Sequence, residues 1–184
     1  VPLVADRPAP TLGDVYEYES PYSDFPCNRW TIVALNQGGM LVAECGSFRI
    51  YSSVAGDYNP VRMSDMEGSD VWSFSPYFPG VKFPLQVGAY WRGDYEGVGA
   101  DAGMRWYGDV SCDVDTFEEV TVPAGTFEAY RISCTDALQS YPGRQPMGDM
   151  HSTSWYAPEV EAIVKVRNSE DARLNRELVA VERN

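Results

Sequence analysis

The chain has one histidine, His151, and only 14 lysines and arginines against 27 acids. It has no Cys-x-x-Cys and no Asn-x-Ser/Thr. No apolar run approaches the roughly 20 residues of a membrane helix. Each shortage excludes something. A Ser-His-acid triad would have to use His151, yet no Gly-x-Ser-x-Gly elbow accompanies it. The nearby Ser152 and Ser154 add nothing, because triads are assembled in space rather than along the chain. Without paired cysteines at short spacing, zinc and thioredoxin-type chemistry is not expected. A net charge of −13 repels phosphate, so neither nucleic acid nor an anionic membrane face is an expected partner. No glycine loop with a nucleotide fingerprint is present. Val1-Pro2-Leu3 has neither the basic start nor the apolar stretch of a signal peptide, so the chain reads as beginning at a mature or trimmed end. The missing glycosylation sequon suits a bacterial envelope better than a eukaryotic secretory pathway.

What is present is the material of a β domain. The length, 184 residues, suits one domain with a real core. Twelve tyrosines and five tryptophans favour strands, and sixteen glycines with thirteen prolines supply turns. GDVYEYE, residues 13–19, alternates as a half-buried strand does. Further strands are expected at 29–35, 40–51, 71–74, 87–95, 104–114, 117–122, 127–135, 152–156, 162–167 and 178–182. Residues 1–12 form an extended lead-in with three prolines, and 13–184 a single domain. Long loops are expected at 52–70 and 136–150. No long segment repeats apolar residues at helical spacing, so the fold class is all-β and mainly antiparallel. A faint repeat suggests two halves: GDVYEYE matches GAYWRGDYE, residues 88–96, and each precedes an Arg-Trp, Arg29-Trp30 and Arg105-Trp106.

Four cysteines flank two predicted hairpins. Cys27 and Cys45 bracket the Asn36-Gln37-Gly38-Gly39 turn, and Cys112 and Cys134 bracket Pro123-Ala124-Gly125. Two local disulfides in an oxidising compartment follow. In the second hairpin Pro123 suits the first turn position and Gly125 a left-handed one, giving a three-residue loop with a bulge. Val122 would then pair with Thr126, Glu118 with Tyr130, and Val114 with Cys134. That register leaves Cys112 on a diagonal of about 7–8 Å, marginal for a disulfide. A bulge within Asp115–Glu119 would bring the sulfurs together.

Candidate chemistry is sparse. Met147, Met150 and His151 form a soft donor set suited to Cu(I), and Met63 and Met66 offer two more thioethers; methionine as gap-filler is the plainer reading. Asp113, Asp115 and Glu118 lack the glycine and spacing of an EF-hand loop. No pair of acids stands out for glycoside hydrolysis. Trp72, Phe74, Tyr77, Phe78, Phe83, Tyr90 and Trp91 are close in sequence and suit either a core or a surface for an apolar ligand or a partner. The proline-rich SPYFPGVKFP, residues 75–84, is a candidate exposed docking loop.

The string VTVPAGTFEAYRI, preceded by FPLQVGAYW and followed by WYAPEVEAIVKV and ELVAV, resembles a broad, poorly characterised bacterial family of secreted, lipoprotein-like β domains. The resemblance spans Phe83 to Val181, and GDVYEYE matches the same pattern's opening strand. It implies a curved antiparallel sheet similar to the half-barrel of periplasmic lipoprotein carriers, or a sandwich-like variant. Glu161 departs from that pattern, which has glycine there. No catalytic motif is carried over. The expected protein is a non-enzymatic binding or structural subunit, periplasmic, outer-membrane-associated or extracellular. It would contact another envelope or extracellular protein through long loops and sheet edges. A carrier of a lipid or other apolar ligand is the alternative, and a Met/His copper module the third. No cofactor and no transmembrane segment are expected.

Overall fold

Period-two burial runs through the longest strands. In residues 108–114, Gly108, Val110, Cys112 and Val114 are buried and the residues between them are more exposed. That alternation is what a pleated strand packed on one face requires. A computed structural model describes residues 4–100 and 103–184. Twelve strands follow one another: β1 (Val15–Glu19), β2 (Arg29–Gln37), β3 (Met40–Cys45), β4 (Phe48–Ser53), β5 (Asn59–Asp65), β6 (Asp70–Ser75), β7 (Tyr90–Gly99), β8 (Arg105–Val122), β9 (Gly125–Ser140), β10 (Pro146–Ala157), β11 (Ala162–Asn168) and β12 (Arg176–Glu182). Each pairs antiparallel with its sequence neighbours, and β1 pairs with β12 to close a barrel.

The all-β, antiparallel expectation holds, and closure replaces the expected half-barrel or sandwich. Closure removes sheet edges, so strand addition at an edge is no longer available. Both long loops largely dissolve. Residues 52–70 contain all of β5, and 136–150 contain the end of β9, a turn and the start of β10. Their serines, aspartates, glycines and prolines suggested loop, but pairing with flanking strands overrides local propensity. The two segments of the faint repeat fall on β1 and β7, six strands apart in the barrel order.

Two apolar clusters lie on opposite faces of β8–β11. One collects Trp91, Tyr95, Val110, Cys112, Val114, Tyr130, Ile132 and Tyr156. The other collects Val120, Val122, Phe127, Ala129, Ala157, Val164 and Leu178. The first is covered by the proline-rich segment, whose Phe78, Val81 and Phe83 pack on the cluster while Ser75, Pro76, Lys82 and Pro84 stay exposed. Pro79 is buried and accepts the Trp91 indole N–H at 2.9 Å. Asn59 clamps Val81 from both sides, donating at 2.6 Å and accepting at 3.0 Å. Leu85 has no exposed surface and exchanges two 2.8 Å backbone bonds with Ala5, so the lead-in is docked there. The second cluster is closed by the β8–β9 turn, where the Ala124 N–H donates to the Leu178 carbonyl at 3.0 Å.

Both disulfides form as the flanking positions suggested, Cys27–Cys45 and Cys112–Cys134. The hairpin register differs by one residue at the turn. Val122 pairs with Gly125, Thr121 with Thr126 and Glu118 with Ala129. A bulge between Val114 and Thr116 then shifts the ladder again, setting Cys112 directly opposite Cys134 with Cα atoms 4.1 Å apart. Glu161, where the related pattern has glycine, keeps a left-handed backbone at φ 51°. Its carboxylate accepts from Arg183 at 2.5 Å.

Candidate functional site

Strands β7, β8 and β9 bring together three side chains that sequence reasoning passed over: Tyr95, Trp106 and Asp136. Tyr95 is directly opposite Gly108, and Trp106 directly opposite Gly97. Each ring lies over its partner glycine. A Cβ on Gly108 would stand 2.1 Å from the Tyr95 ring, and one on Gly97 2.3 Å from the Trp106 ring. Only glycine leaves room for this reciprocal stacking. The stacking fixes the polar ends. The Trp106 indole N–H donates to the Tyr95 hydroxyl at 3.1 Å, and that hydroxyl donates to Asp136 Oδ2 at 2.5 Å. The indole can only donate, so the direction of the Trp106–Tyr95 link is set, and an ionised Asp136 can only accept from Tyr95.

Asp136 is 8% exposed, and its second oxygen, Oδ1, is buried without a hydrogen-bond partner among the described residues. Burial holds the carboxyl above its ordinary range, the charges of Asp109 and Asp149 add to the rise, and the Tyr95 bond opposes it. Burial likewise raises the Tyr95 phenol, with the Asp136 contact as the second cause. A buried acceptor lacking a partner costs roughly 1–3 kcal/mol, so Oδ1 is the polar group here that calls for one. Asp136 lies between Val110 on β8 and Met150 on β10, and Met150 is partly exposed.

The aromatic candidates divide. Trp91 is 6% exposed, and Phe78 and Phe83 pack on the first cluster, Phe83 meeting Tyr156 at 5.0 Å. Tyr77 is partly buried against Gly56. Tyr90 is exposed. Trp72 and Phe74 stay partly exposed and continue the wall around the triad. Phe74 stands 5.4 Å from Tyr95, 6.4 Å from Trp106 and 4.9 Å from Trp72. A separate open cleft of about 270 Å³ lies where Tyr77 and Lys82 meet Trp91, Arg92, Asp57 and Asp94.

The soft donors are spread out. Met63 is buried on β5 beside Ile50 and Trp72, and Met66 is exposed in the next turn. Four strands separate β5 from β10, which carries the other three. Met150 and His151 are successive strand residues and point to opposite faces. Met147 is exposed at an irregularity in the β9–β10 ladder. His151 Nδ1 instead pairs with Glu170 Oε1 at 2.8 Å, which raises the imidazole. Glu170 is pushed down to about 2, first by the His151 backbone N–H and then by Ser169 and the ring. Asp115 and Glu118 both serve Arg131, and Glu118 also accepts the Trp155 indole at 2.9 Å.

No protein-family model and no curated protein matches the chain. Two solved structures share its architecture. A candidate lipoprotein from Parabacteroides distasonis ATCC 8503 is 12% identical over 97% of this chain and 99% of its own, with a TM-score of 0.53. A candidate exported protein with a YmcC-like fold from Bacteroides fragilis NCTC 9343 is 13% identical over 97% of this chain and 100% of its own, with a TM-score of 0.50.

Proposed function

We propose that this chain is a non-enzymatic β-barrel protein of the bacterial cell envelope or exterior, acting as a binding or structural subunit. The carrying observation is where its aromatic residues go. Trp91, Phe78 and Phe83, the side chains best suited to line a lipid cavity, are taken up in core packing: Trp91 donates to the Pro79 carbonyl, Phe78 stands 5.3 Å from Tyr95, and Phe83 stands 5.0 Å from Tyr156. The two disulfides support an oxidising compartment. The shared fold with a candidate lipoprotein and a candidate exported protein points the same way. Contacts with a partner would use turns and outer strand faces, since the closed sheet offers no edge. One such surface is the Arg–Tyr ladder in which Tyr107 and Tyr141 stack at 5.3 Å, with Arg144 over the first ring and Arg105 over the second.

The test is native mass spectrometry of the protein purified without detergent or denaturant from its source. The expected species carries no lipid, retains a stoichiometric protein partner, and shows no labelled thiol when alkylated in denaturant. A stoichiometric lipid would replace this reading with the carrier, and four labelled thiols would remove the compartment assignment.

A further inference from the structure

We propose that Asp136, Tyr95 and Trp106 form a binding site for a small protonated amine with an apolar body. The proposal does not depend on the envelope reading. It starts from the orphan oxygen. Oδ2 of Asp136 is engaged by the Tyr95 hydroxyl, whose own lone pair takes the Trp106 indole N–H. Oδ1 is left buried and unpartnered among the described residues. An ionised carboxylate in that position needs both a donor and a compensating charge.

The surroundings supply neither. Asp136 has Val110 and Met150 as its cross-strand neighbours, and the charges that act on it, Asp109 and Asp149, are both negative. Asp109 is already paired with Arg92, which belongs to the neighbouring strand. A ligand ammonium would supply the donor and the charge in one group, whereas a hydroxyl would supply only the donor. The wall suits the rest of such a molecule. Phe74 and Trp106 are partly exposed and meet the buried Tyr95, Phe78 packs on it at 5.3 Å, and Trp72 adjoins Phe74; ring faces attract a cation as well as an apolar body. Met150, an unbranched, readily rearranged side chain, is directly opposite Asp136 and is the one that would move aside for a ligand to reach Oδ1. The net charge of −13 draws cations toward the protein from a distance.

Phenethylamine and its neutral isostere 2-phenylethanol are the probes. Calorimetry and the indole N–H resonance of Trp106 are the readouts, on the intact chain. The expected result is saturable binding of the amine, about tenfold tighter than the alcohol, with the indole resonance shifting as the site fills. Asp136→Asn, which keeps the volume and removes the charge, should weaken amine binding about tenfold and leave the alcohol nearly unchanged. Should that variant not fold, the amine-to-alcohol ratio and the indole shift in the unmodified protein decide. Equal affinity for the two probes, no binding up to about 10 mM, or an amine affinity untouched by Asp136→Asn would overturn the proposal. Oδ1 would then belong to an ordinary internal water.

Discussion

Asp14 and Asp136 are both buried carboxylates, yet they respond to burial in opposite ways. Asp14 has no exposed surface, but Thr11 donates to it through its backbone and its hydroxyl, at 2.9 and 2.6 Å. The Asn184 N–H donates at 2.9 Å, and Arg183 stands 3.3 Å away. Desolvation is the largest single influence and raises its pKa, but these donors together outweigh it and the net shift is downward. Asp136 has one donor, and burial wins. The linkage signs therefore differ. Asp14 contributes stability that is complete above its unfolded value and is lost as pH falls through its lower folded value. Asp136 costs stability progressively as pH rises from its unfolded value through its higher folded one. Asp14→Asn should lose about 2 kcal/mol at neutral pH, and the loss should shrink as pH falls below about 4. Asp136→Asn should improve relative to the parent as pH rises from about 4 to neutrality. Urea denaturation across that range checks both, and parallel pH dependences for the two variants would contradict the assignment.

At the scale of elements, the β7–β8 pair depends on glycine positions that carry no side-chain chemistry of their own. Gly97 and Gly108 exist as platforms for Trp106 and Tyr95. Gly108→Ala would place a methyl group 2.1 Å from a Tyr95 ring carbon. The ring would have to move and release Asp136. The expected cost is about 1–3 kcal/mol, as for other overpacked cores, with a change in Trp106 fluorescence. Gly103→Ala, where nothing lies within 4 Å of the added carbon, is the control and should change neither. None of this was legible beforehand. GDYEG and RWYGD, around residues 93–97 and 105–109, look like ordinary strand text until register sets each ring against a glycine. The Cys112–Cys134 pair was half legible. The cysteines named the hairpin, but the tighter turn and the bulge at Asp115 decided which residues face each other.

For the whole molecule, closure is uneven. β8 and β9 share a ladder running from Trp106↔Ser140 to Val122↔Gly125, tied by a disulfide. β11 and β12 pair only at Lys165↔Glu177 and Val166↔Arg176. Amide hydrogen exchange should therefore be slowest in β8 and β9, with protection at the β11–β12 seam falling first as denaturant is raised, because local opening follows the number of bonds broken. Equal protection at the seam and the long hairpin would show that closure is stiffer than its pairing implies. The β1–β12 closure is bridged separately by Arg183, which joins Asp14, Tyr16 and Glu161.

What the sequence determined by itself was local: alternating strands, turns at Gly and Pro, two nearest-hairpin disulfides and an acidic surface. These depend on residues close in the chain, whose preferences act whatever the rest of the molecule does. Loops 52–70 and 136–150 read wrongly because polar strands on a partly solvated sheet have loop-like composition. Only tertiary structure decided that β1 meets β12, that the proline-rich segment packs on the aromatic face, and that Asp136 keeps one oxygen unpaired. Each of those rests on contacts between residues dozens of positions apart, and a one-residue change of register would reassign every one of them.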